Sequence, residues 1–364
     1  MESPRVRRLG AVSLLALISP QFASADPTFD FYGQFNFGIF SVDDGTESET
    51  YVTDNDNSNS RIGFIYANEL SADRTLKFHF ETALGFEGSA AATMDDHDTD
   101  IDMSRTELRK LELIYETANH GTFYLGQGST ATDGVAEVDF SGTSVVTYSS
   151  VGDLAGSFQF RPQGGALSGT DVGDAFANFD GARRARVRYD TPSFNGFSGS
   201  LSYGVEELNR ADDREFTDIA VKYAQDYGDL KIEGRLGYQW IDDDAGDEEV
   251  LLGSIAVLHK PTGLNFALSS AGQDNGDADY IYAKLGLQRD WFSIGSTSLA
   301  VDIYEGSDFV SAGSDSTSYA VSAVQRLDRY NMEVYASYRS YEFDATGTNY
   351  EDIDVMVLGA RWKF

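Results

Sequence analysis

The chain has 364 residues, no cysteine, and 59 Asp and Glu against 27 Lys and Arg, a formal charge of −32 at pH 7. Without cysteine there is no disulfide framework, zinc–thiolate site or cysteine nucleophile, and the acidity argues against nucleic acid as a partner. Mean hydropathy is −0.32, which does not exclude membrane insertion, because barrel strands alternate lipid-facing and lumen-facing residues.

The first residues read as a leader. Arg5, Arg7 and Arg8 form a basic region, Leu9 to Ile18 a short apolar core, and Ala23-Ser24-Ala25 offers small residues for cleavage before Asp26. Residues 1–25 are therefore expected to be a cleaved signal peptide. The apolar core is too short to span a bilayer as a helix. No later apolar run approaches a membrane helix, so insertion would require a closed barrel.

Two-residue alternation then recurs to the end of the chain. Phe29, Phe31, Phe35, Phe37 and Ile39 alternate with Asp30, Tyr32, Gln34, Asn36 and Gly38; Leu76, Phe78 and Phe80 alternate with Lys77, His79 and Glu81. Leu230, Ile232, Leu236, Tyr238 and Trp240 alternate with Lys231, Glu233, Arg235 and Gln239. Charges in mid-strand between large apolar residues suit a wet lumen inside an oily exterior. The pattern predicts sixteen strands: 29–40, 60–68, 75–86, 105–117, 121–127, 183–190, 197–206, 216–225, 229–240, 250–259, 263–271, 279–288, 296–304, 317–327, 330–342 and 352–364. Their connections alternate between short ones and longer acidic ones (41–59, 87–104, 128–182, 207–215, 241–249, 272–278, 305–316 and 343–351). That asymmetry is the one between periplasmic turns and extracellular loops. The last strand sets Leu358, Ala360, Trp362 and Phe364 on one face and ends on an aromatic residue, an ending common in outer-membrane barrels. A soluble solenoid would need a fixed repeat, and none is present; a soluble sandwich would not require the short and long connections to alternate. The expected fold is all-β, a sixteen-stranded antiparallel transmembrane barrel over residues 26–364.

Several stretches resemble the Gram-negative general porin family: Ser60-Arg61-Ile62-Gly63-Phe64, Gly121-Thr122-Phe123-Tyr124-Leu125-Gly126-Gln127, Arg186-Val187-Arg188-Tyr189-Asp190-Thr191-Pro192-Ser193-Phe194-Asn195-Gly196-Phe197, and the terminal Phe364. Gln127 departs from the family, which often has Arg there. The resemblance implies a homotrimer of water-filled barrels, set in outer-membrane lipid and lipopolysaccharide, each narrowed by an inward-folded third loop whose acids face an arginine cluster. Carried onto this chain, the constriction loop is 128–182, its acids are Asp133, Glu137 and Asp139, and the facing bases are Arg61, Arg184, Arg186, Arg188 and a base of the fourth strand. For that last base, motif spacing selects Arg109, while the periodicity of Leu111, Leu113 and Tyr115 selects Lys110. Arginines at 184, 186 and 188 share one strand face, and a lipid-facing charge near the midplane costs several kcal/mol, so that face belongs to the lumen.

Asp96, Asp98, Asp100 and Asp102 imitate the ligand spacing of an EF-hand, but Ile101 stands where glycine is required. A loose surface Ca²⁺ or Mg²⁺ site is the remaining metal reading, and no cofactor is otherwise implied. Four scattered histidines and the lack of any nucleophile or phosphate-binding motif in a supporting context leave no catalytic chemistry. The expected function is passive diffusion of small hydrophilic solutes and ions, with weak cation preference from the acidic loops. The alternatives are a substrate-specific channel or a barrel enzyme.

Overall fold

The computed structural model describes residues 26–97, 100–244, 246–274 and 277–364. The expected leader, 1–25, and Asp98 lie outside them. The strands are β1 Thr28–Asp43, β2 Ser48–Asp54, β3 Arg61–Ser71, β4 Arg74–Ala83, β5 Leu108–Thr117, β6 Gly121–Ser129, β7 Arg183–Asp190, β8 Phe197–Val205 and β9 Glu215–Asp226. They continue as β10 Leu230–Asp242, β11 Glu248–His259, β12 Leu264–Gln273, β13 Asp279–Phe292, β14 Gly295–Ser307, β15 Asp315–Leu327, β16 Met332–Ala345, the two-residue β17 Thr348–Asn349 and β18 Ile353–Lys363. All belong to one sheet of antiparallel neighbours, and β18 pairs with β1 from Gln34↔Lys363 to Asp43↔Asp354, so the sheet closes on itself. Phe364 extends the seam through two backbone bonds with Gly33, each 3.0 Å.

Segments β2 and β3 pair with successive halves of β1, Phe37↔Asp54 to Asp43↔Ser48 and Thr28↔Ala67 to Gln34↔Arg61. They are one stave interrupted at residues 55–60, and β17 merely prolongs the hairpin that β16 begins. The described residues thus form a sixteen-stave barrel. One sequence expectation changes here: most of the connection 41–59 is strand, because Tyr51 and Thr53 turn inward while Val52 stays exposed. Its acidic composition hid a continuing alternation.

Side chains sort by parity as a barrel wall demands. Leu111, Leu113, Leu125, Val187, Ile219, Val221, Leu285 and Val301 are exposed, whereas their neighbours Glu112, Arg186, Asp218, Lys284 and Asp302 are buried. On the outer face, aromatic rings cluster near the chain's first strand, with Phe64 stacked against Phe29 at 4.8 Å and near Phe80 at 5.6 Å. Short turns gather at one end, the periplasmic one by the asymmetry of such barrels. Gly263 shows what such a turn demands: its φ is +69°, and a Cβ there would stand 1.8 Å from the Gln288 carbonyl oxygen.

The connection between β6 and β7, residues 130–182, packs against the inner wall. Its own Val145, Val146, Leu154, Phe158, Phe160, Val172 and Phe176 join Phe40, Tyr280, Tyr304, Tyr341, Phe343 and Ile353 of the wall in one buried apolar cluster. Each such side chain removed from water contributes about 1.5–3 kcal/mol. Polar fastenings orient it: Tyr341 donates to the Val151 carbonyl at 2.5 Å, Tyr304 to the Ala177 carbonyl at 2.6 Å, and Asn55 to the Val145 carbonyl at 3.0 Å. The tyrosines therefore lie beneath this segment rather than along an open passage.

Candidate functional site

The wall that the segment leaves uncovered carries a line of ion pairs running across β1, β3, β4, β5 and β7. Glu81, on the inward face of β4, receives Arg109 Nε at 2.7 Å and lies 3.7 Å from Arg61 Nε. Tyr32 donates to Glu81 at 2.8 Å and meets His79 Nε2 at 2.6 Å; His79 in turn lies 3.2 Å from Glu112. Glu112 is also bound by Arg186.

A bulge brings Arg109 to the inner face beside Lys110. The β4–β5 register runs Glu81↔Lys110 and then skips to Thr82↔Leu108, leaving Arg109 as the extra residue. An extra residue reverses local facing, so Arg109 reaches inward to Glu81 and to Asn59 at 3.2 Å although strict alternation points to Lys110. Lys110 remains opposite Glu81 in register.

The β7 arginines also turn inward, each with its own partner. Arg184 pairs with Glu206 at 3.1 Å and lies over the Phe216 ring at 4.3 Å. Arg186 is 4% exposed, binds Glu112, and donates to the carbonyls of Gly126 and Ser129 at 2.9 Å. Arg188 forks onto Asp190 at 2.8 and 2.9 Å and donates to the Thr130 carbonyl at 2.6 Å. Two of the three thus hold the root of segment 130–182. Arg183, which sequence reasoning passed over, is half-buried and acts electrostatically on Arg61, Arg109 and Glu137.

Of the three acids, Asp133 is half-buried and attracts Arg109 and Arg188. Glu137 lies among acids: burial, then the neighbouring Asp133 charge, pushes its carboxyl up to about 7. Asp180 is raised as well, by burial and then by Glu137, although it accepts the Ala136 amide at 2.6 Å. Asp139 stands apart from the arginines. It pairs with Lys284 of β13 at 2.8 Å, and Lys284, wholly buried, also donates to the Thr147 carbonyl at 2.6 Å. Lys284, Glu81 and Glu112 sit at inward parity and could have been found by following alternation through charged positions. Arg183 has no such signal.

The Asp96–Asp102 stretch is tied up locally. The Asp96 amide donates to Thr93 Oγ1 at 3.0 Å, and the Asp102 amide donates to the Gly85 carbonyl at 2.7 Å. Among the described residues no three His, Asp or Glu side chains stand together as a metal site, and Asp98 is outside them.

A profile of the Gram-negative porin family matches residues 11–346, most of the chain. The chain is a Gram-negative porin. No curated protein sequence matches this porin. Among solved structures it is similar to an anion-selective porin from Comamonas acidovorans, with 16% identity, 93% of this chain and 100% of that one covered, and a TM-score of 0.63. It is similar also to in-vitro folded OmpT of Vibrio cholerae in a trimer form, with 17% identity, coverage of 93% and 99%, and a TM-score of 0.57. OmpF of Salmonella typhi, in a complex with daunomycin, gives 14% identity, coverage of 92% and 97%, and a TM-score of 0.60. At such identities these structures establish the shared fold. Family and closed sheet together make this an outer-membrane, multi-pass β-barrel with porin-type channel function.

Proposed function

We propose that this porin is a general diffusion channel in which segment 130–182 narrows a water-filled lumen. The observation that carries the reading is the one-sided docking of that segment: its apolar side is fastened to the β13–β18 wall, and its Asp133 charge acts on Arg109 and Arg188. Acids on the segment and arginines on the wall would set a field across the passage, orienting dipolar solutes and hindering apolar ones that must displace ordered water. Arg61, Arg109 and Arg183 are the bases best placed to face the passage, while Arg186 and Arg188 chiefly hold the segment's root. Asp133 and Glu137 are the facing acids, and Asp139 is an anchor. A sugar-specific channel would need aromatic rings along the free passage, whereas Tyr280, Tyr304 and Tyr341 are covered. The acidic extracellular loops favour weak cation preference at the mouth. The resemblance to general porins, and the trimer form of the Vibrio cholerae protein, support a homotrimer in lipid and lipopolysaccharide. Single-channel recording with the purified protein tests the reading: stepwise ohmic currents and swelling of liposomes by small sugars and amino acids alike are expected. Currents that one solute blocks selectively, without general permeation, would overturn it.

A further inference from the structure

The charge of this chain is segregated in a way its overall acidity conceals. On the inner wall, ion clusters hold two bases on one carboxylate. Glu81 is shared by Arg61 and Arg109. Glu233 of β10 is shared by Lys222 at 3.0 Å and Arg235 at 2.6 Å. Glu333 of β16 is shared by Arg361 at 2.5 Å and Lys363 at 3.4 Å. Each cluster keeps one positive charge in excess. All face inward: Arg235 donates to the Gly134 carbonyl of segment 130–182, and Arg361 to Ser58. Glu233 is three residues from the periplasmic start of β10 and Glu333 one residue from that of β16, so these two clusters occupy the periplasmic part of the wall and reach up to the proposed constriction through Arg235 and Arg361. The opposite end carries the acidic loops, among them Asp212 and Asp213 before β9 and Asp243, Asp244 and Asp247 before β11.

We infer that the pore is electrically bipolar along its axis, with an acidic extracellular stage and a basic periplasmic stage, and that its ion current therefore rectifies. This rests on the reading of an open lumen given above. Fixed charge of one sign enriches mobile ions of the other within a Debye length, about 10 Å at 0.1 M salt and 3 Å at 1 M. With the extracellular chamber positive, cations from the acidic stage and anions from the basic stage are both driven toward the junction, where they accumulate and raise conductance. With the opposite polarity the junction is depleted. The same arrangement draws zwitterionic solutes through with their dipoles along the axis.

Lys222 and Lys363 are half-exposed, and each shares its carboxylate with an arginine that would remain. The variant Lys222→Gln/Lys363→Gln thus makes both lower clusters neutral while keeping a pair in each. Single channels would be recorded in planar bilayers at about 0.05 M and 1 M KCl, with sidedness scored by a peptide tag in loop 308–314 and its antibody. The expected result is larger current with the extracellular side positive at low salt, near-symmetric current at high salt, and loss of the low-salt asymmetry in the variant. Symmetric low-salt current, the opposite sign, or asymmetry unchanged in the variant overturns the inference while leaving an open channel in place. Absence of any current from folded protein instead overturns the channel reading.

Discussion

Replacing Lys284 with Met should release segment 130–182 from the wall without unfolding the barrel. The side chain is fully buried and bridges Asp139 at 2.8 Å and the Thr147 carbonyl at 2.6 Å. Removing one partner of a buried pair costs about 3–5 kcal/mol, because the other charge is stranded. Asp139 keeps the Ser141 amide and hydroxyl, at 2.6 and 2.8 Å, so the lower end applies. At 1.4 kcal/mol per decade, about 3 kcal/mol multiplies the undocked population by about 150. Lys284→Met/Asp139→Asn removes the stranded charge and should restore most of the docking. The assay is current noise in single channels, with limited proteolysis of residues 140–170 and gel migration of unheated protein to confirm an intact barrel. Equal behaviour of single and double variants, or no change in noise and proteolysis in the single one, would refute the assigned anchor.

Other outcomes follow from the same geometry. Glu137 and Asp153 are both held up to about 7, chiefly by burial. Acids raised on docking bind more protons in the docked state, so their contribution is full below the ordinary carboxylate range and lost as pH rises through about 7; current noise should grow between pH 6 and 8. Over the same interval, loss of the Glu137 proton should increase cation preference, a step that Glu137→Gln abolishes in reversal-potential measurements. Arg109→Gln should raise cation preference with the barrel intact, since lumen substitutions tune selectivity more than stability. Arg186→Met, which strands buried Glu112, should instead cost the about 3–5 kcal/mol of a broken buried pair, read as a lower temperature at which the folded form is lost on gels. Gly263→Ala forces a side chain against the Gln288 carbonyl at positive φ. It should destabilise the turn by at least about 1–3 kcal/mol, read as a lower urea midpoint.

The strands were legible because lipid on one side and lumen on the other impose a strict period of two on nearly every stave. Alternation failed where the backbone departs from that period. At Arg109 a single extra residue reverses facing, and periodicity alone selects Lys110. In 48–54 the acidic residues resembled a loop, although Tyr51 and Val52 keep the alternation. The candidate site was less legible. That 130–182 ends beside a row of arginines was visible, but which of them anchor backbone carbonyls and which face the passage depends on contacts distant in sequence, such as Arg186 with Glu112. Lys284 and Asp139, 145 residues apart, could be joined only by the folded chain.

The chain contains no cysteine, so one introduced thiol can be labelled alone. Asp133→Cys, recorded as a single channel while a bulky thiol-reactive reagent is added, tests most directly whether segment 130–182 borders the permeation path. Current should fall in discrete steps, one per modified subunit, as expected for a bulky group attached where the pore is narrow. Complete labelling, verified by mass, with no change in current would place the segment outside the path and contradict the proposed constriction.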